Sequence, residues 1–134
     1  QRGAHGDFRR SGLLPLLMDI VKEDTGEARV TALGTLWNLA SADANKVTMT
    51  TAAGLNLLPT LVEVVRENID KARVNALGTF WNLAAATENQ VLMTSAELEL
   101  LPVLIDVVRE DKGEARSMLW EHYGFLLVLL TIKF

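Results

Sequence analysis

The sequence predicts an all-α chain of stacked helical repeats, and three observations carry that expectation. The segment Ala-Leu-Gly-Thr-Leu-Trp-Asn-Leu-Ala at 32–40 returns at 76–84 with a single change, Leu36 to Phe80. Leu-Leu-Pro occurs at 13–15, at 57–59 and at 100–102. Residues 12–55 and 56–99 agree at about half of their positions, an offset of 44 residues, and a period of that size signals a stacked-repeat architecture. An α-solenoid of this kind works by what its surfaces hold, so the functional question moves from chemistry to interfaces.

Each repeat carries matching start and stop signals. Gly12 and Asn56 precede Leu-Leu-Pro, and Pro in the first turn of a helix has no hydrogen bond to lose. A first helix is expected over about 13–22, with Leu14, Leu17, Ile20 and Val21 at helical spacing. A polar break at 23–26 leads to a longer helix over about 27–40, carrying Val30, Leu33, Leu36, Trp37 and Leu39. A short piece over about 45–53 runs up to Gly54, a residue suited to ending helices. Its counterpart at 89–96 shares Val91, Met93 and Thr94 with Val47, Met49 and Thr50. The repeats therefore fall at about 12–55, 56–98 and 99–134, one domain over 12–134, preceded by residues 1–11. That opening stretch, with Arg2, Arg9 and Arg10, reads as a basic linker or a stub left after processing, and a start at Gln1 rather than Met fits a processed protein or part of a longer one.

Charge repeats with the same period. Asp19, Glu63 and Asp106 form one register, Lys22, Arg66 and Arg109 a second, and Arg29, Arg73 and Arg116 a third. The first two registers sit three residues apart on one helix, so the charges read as solvated helix ends and intra-repeat ion pairs, each worth little when exposed.

Bulk composition narrows the function classes. A net charge of −4 and a pI near 5.1 argue against a nucleic-acid binder. With no Cys there is no disulfide, thiol nucleophile or thiolate metal site, which fits an intracellular, reducing compartment, the cytoplasm ahead of an organelle. The longest apolar run, Phe125 to Leu130, falls well short of the ~20 residues that span a bilayer, so no transmembrane span is expected. His5 and His122 lie at opposite ends of the chain, and no Ser-His-Asp spacing or phosphate-cradling loop occurs. No catalytic residue, cofactor or metal is expected, and the chain is not read as an enzyme.

A short helix, then Gly-x-x-x-Pro and a second helix, then a longer helix with a central Asn, resembles the armadillo repeat. The stretch Asn45-Lys46-Val47-Thr48-Met49 through Gly54 and on to Pro59-Thr60-Leu61-Val62 looks like that family's first two helices, and Ala32 to Ala40 looks like the core of its third. The resemblance covers about residues 12–116. It implies a right-handed α-solenoid of three-helix repeats whose third helices line a concave groove, with Asn38 and Asn82 gripping the backbone of an extended peptide from another protein. An amide suits that task because it both donates and accepts. The sequence departs from the family where several members place Trp one turn before the Asn. Gly34 and Gly78 stand there, and the indoles sit immediately before the Asn, at Trp37 and Trp81. Either these Trp border the groove and form side-chain slots, leaning over the gap left by the Gly, or they are core residues between repeats. Thr31, Asn75 and Ser41 are expected on the same face, none of them acidic, so ligand charge is left open.

The third repeat loses the register. After Gly113-Glu114-Ala115-Arg116, the positions of Gly, Trp and Asn hold Glu121, Gly124 and Phe125. Residues 125–134 are almost wholly apolar, whereas a terminal repeat needs a polar outer face. The tail either folds back over the last core, docks on a partner subunit or a membrane surface through Phe125, Leu126, Leu127, Leu129 and Leu130, or belongs to a partial or altered product whose true next repeat is missing. The sequence thus predicts a peptide-binding interaction module. Its alternative is a structural accessory subunit of a larger complex, such as an organellar or membrane-bound one, docked on a neighbouring subunit through that tail.

Overall fold

The computed structural model of the chain describes residues 12–68 and 70–121. Among them the fold is all-helical, with eight helices in the order α1 Leu13–Glu23, α2 Glu27–Ala40, α3 Asp43–Thr51, α4 Leu57–Glu67, α5 Lys71–Leu83, α6 Thr87–Met93, α7 Leu100–Glu110 and α8 Glu114–Glu121. The long helix of the repeat keeps its expected bounds in α2. The short one begins two residues earlier than expected and ends at Thr51, three residues before Gly54, which turns the chain at φ +74°.

The first helix of each repeat starts at the same unusual backbone geometry. Gly12, Asn56 and Glu99 all take positive φ, at 78°, 54° and 63°, directly before Leu-Leu-Pro. The carbonyl at each of these positions accepts the first helical bond, from Leu16, Thr60 and Val103. Gly adopts this left-handed conformation without cost and Asn tolerates it, whereas Glu99 holds it against a steric penalty.

The apolar stripes read from the sequence face one another. Leu14, Leu17, Met18 and Val21 of α1 are buried, as are Leu33 and Leu36 of α2. Their counterparts Leu58, Leu61, Val62, Val65, Leu77 and Phe80 belong to the same continuous core, which extends through Leu100, Leu104 and Val107 to Ala115, Met118 and Leu119 of α8. The first helix of each repeat packs on its long helix, and equivalent helices of successive repeats lie side by side: α2 on α5, α3 on α6, α4 on α7 and α5 on α8.

Arginines in the third charge register tie this stack together. Arg29 Nε donates to Val21 O at 2.9 Å, and Arg73 Nε donates to Val65 O at 2.8 Å, each pinning a long helix to the end of the helix before it. The guanidinium then reaches into the next repeat, Arg29 to Asn68 Oδ1 at 3.2 Å and Arg73 to Asp111 Oδ2 at 2.8 Å. Arg73 is 10% exposed and Asp111 8%. This corrects the reading of that register as solvated, intra-repeat charge, which holds only for pairs such as Arg66 with Glu63. Burial pushes the Asp111 carboxyl up, but the Gly113 amide and the Arg73 guanidinium together outweigh it and hold it below its ordinary value.

Candidate functional site

The residues singled out in the sequence lie on or beside the long helices α2 and α5, and the structure divides them into two groups. Asn38 is exposed in the last turn of α2, and its side chain makes no bond to any described residue. Its main-chain carbonyl accepts from Ser41 Oγ at 2.6 Å, which places Ser41 beside it at the helix end. Thr31, two turns earlier, is also exposed, and its carbonyl accepts from Thr35 Oγ1 at 3.0 Å. Asn38, Ser41, Thr31 and Thr35 thus form an uncharged polar strip along α2.

The second group is engaged between repeats. Asn82 Nδ2 donates to Trp37 O at 3.0 Å, and Asn75 Nδ2 donates to Val30 O at 2.9 Å. Both amides on α5 reach back to carbonyls of α2, two helical turns apart on each helix, and so stitch the two long helices together. Asn82 is half-buried, and its carboxamide oxygen carries no bond to any described residue.

The indoles explain the departure from the expected Trp position. A Cβ on Gly78 would lie 2.2–2.5 Å from three atoms of the Trp37 ring, closer than any real contact. Trp37 therefore fills the gap of the Gly in the following repeat rather than leaning over its own Gly34, as the sequence reading had it. Gly78 is needed because an indole occupies the place of its side chain. Trp37 and Trp81 are both half-buried and packed against the core.

One cation close to this face was not legible in the sequence. Lys46 is buried, and its Nζ donates to Ala40 O at 2.7 Å and Ser41 O at 3.1 Å, a positive charge set on the last carbonyls of α2. Its neighbour Asn45 donates to Leu39 O at 2.9 Å. In the next repeat Gln90 and Asn89 make the same bonds to Ala84 O and Leu83 O. The shared signal was the pair at 45–46 and 89–90, an Asn followed by a long donor. Lys46 reads as a surface charge until the helix end it caps is known.

Among the described residues no group of His, Asp and Glu converges on a point that could hold a metal ion, and no helix is long and apolar enough to cross a membrane. The proposed docking residues Phe125, Leu126, Leu127, Leu129 and Leu130 lie outside the described residues. Compared with protein-family models, with curated proteins and with solved structures, the chain matches none.

Proposed function

We propose that the chain is an armadillo-type α-solenoid that binds an extended segment of another protein along the face of its long helices. The observation that carries this reading is Asn38, an exposed amide in register with Asn82 that no described residue engages. Asn38 has both donor and acceptor to offer one peptide unit of a ligand. Asn82 offers its carboxamide oxygen and its second N–H while the first stays on Trp37 O. Adjacent helices pack about 8–10 Å apart and two residues of extended chain span about 6.6–7 Å, so one Asn per repeat can roughly follow alternate ligand residues. The rims of Trp37 and Trp81 supply apolar walls, and Thr31, Asn75 and Ser41 supply an uncharged border.

Peptide display against the immobilised chain tests this reading. The expected outcome is a selected set of extended peptides whose affinity falls about tenfold or more for Asn38→Ala, the scale of losing amide bonds to the ligand. Selection of no peptide, or binding indifferent to Asn38→Ala, contradicts it.

A further inference from the structure

Where the short helix of one repeat gives way to the first helix of the next, the second repeat holds an open hollow of about 500 Å³. The turns that border it, at 52–56 and 94–99, both lie within the described residues. Leu57, Leu58 and Val62 of α4 line it and are buried, joined by half-buried Leu98 and by Leu92, which is 40% exposed. No residue of α2 or α5 lines it, so the hollow is separate from the face of the long helices. The first repeat has an equivalent hollow of about 340 Å³ beside Leu14, Pro15 and Leu55, with Thr48 where the larger one has Leu92.

Charge distinguishes the two hollows. No charged residue lines the smaller one. Exposed Glu63, Glu97 and Glu99 line the larger, against the one guanidinium of Arg66. Arg66 already pairs with both Glu63 and Glu99, whereas Glu97 has no side-chain partner among the described residues. A large apolar side chain gains by leaving water for such a lining. The excess of carboxylates around it attracts a cation and repels an anion.

We propose that this hollow is a docking site for a segment of a partner protein that carries a large apolar side chain flanked by Arg or Lys. The apolar side chain enters over Leu58, Val62 and Leu98. One flanking cation pairs with Glu97, and the other shares Glu63 or Glu99 with Arg66. The proposal does not depend on peptide binding by Asn38.

The test probes an array of octapeptides with the labelled full chain. Each peptide has Phe, Leu or Ala at its centre and Arg, Ser or Glu on both sides, and the tightest binders are titrated by anisotropy. Binding is expected from the Arg-flanked peptides with Phe or Leu at the centre, and not from those with Ala. Affinity should fall about tenfold or more for the double variant Glu63→Lys, Glu97→Lys, which reverses the excess charge at two exposed positions. That variant should melt as the parent does and bind the Glu-flanked set instead, a swap that a misfolded chain would not show. Asn38→Ala should leave this binding unchanged. The proposal is overturned by the absence of saturable binding, by equal binding of the Ser-flanked or Ala-centred sets, by indifference to the double variant, or by loss with Asn38→Ala.

Discussion

The indole of Trp37 occupies the place where a side chain of Gly78 would be, so one residue of the first repeat and one missing side chain of the second form a single packing unit. That relationship accounts for an otherwise costly choice, glycine in the middle of a long helix. Among the described residues this packing unit occurs once, since Gly34 meets only Asn75 Nδ2 at 3.4 Å and the position equivalent to Gly78 in the third repeat is Glu121.

Gly78→Ala is therefore expected to destabilise the fold by about 1–3 kcal/mol, the range for overpacking, despite the better helix propensity of alanine. Gly34→Ala, with only Asn75 Nδ2 at 3.4 Å, should stay within about 1 kcal/mol of the parent. Urea unfolding of both variants checks the contrast. A double variant with Trp37→Leu should recover much of the Gly78→Ala loss, and additive losses would contradict the shared packing.

The two asparagines should separate in stability as they do in structure. Asn82→Ala removes the bond to Trp37 O and should cost about 0.5–1.5 kcal/mol. Asn38→Ala removes no described bond and should leave the unfolding midpoint unchanged. Equal losses at both positions would show that Asn38 also carries a structural bond.

Acid should loosen the junction between the second and third repeats. The Asp111 carboxyl is held below its ordinary value in the folded chain, so the unfolded chain binds the proton more readily. The stability it contributes is fully present above the ordinary carboxylate pKa, about 3.9, and is lost as pH falls through the lower folded value. Urea midpoints from pH 7 to pH 2.5 should fall more steeply for the parent than for Asp111→Asn. At neutral pH, Arg73→Met should cost about 3 kcal/mol or more, because it leaves the Asp111 charge buried without its partner.

Glu99 holds a left-handed backbone that Gly12 adopts freely at the same register. Glu99→Gly should raise the melting temperature, since relief of about 1 kcal/mol or more of backbone strain exceeds the loss of an exposed pair with Arg66. An unchanged or lowered melting temperature would mean that the pair with Arg66 outweighs the strain.

Much of this was legible in the residues. The period, the helix starts at Leu-Leu-Pro and the apolar stripes through Leu14, Leu33 and their counterparts follow from spacing, because helical periodicity and a repeated start signal are local. What escaped depends on the partner across a repeat boundary. Periodicity places Trp37 and Gly34 on one helix but does not say that the indole serves Gly78. It marks Arg29 and Arg73 as equivalent but does not show that the guanidinium crosses to Asn68 or Asp111. Asn38 and Asn82 share the local sequence Trp-Asn-Leu-Ala and differ because α2 lies in front of Asn82 and no described helix lies in front of Asn38.

The most direct test of the central claim is the side-chain amide spectrum of the 15N-labelled chain during titration with a selected extended peptide. Binding along the long helices predicts that the Asn38 side-chain resonances shift strongly and saturably, with smaller shifts at Asn82 and at the Trp37 and Trp81 indole N–H groups. A saturating peptide that leaves the Asn38 amide unmoved would contradict the account.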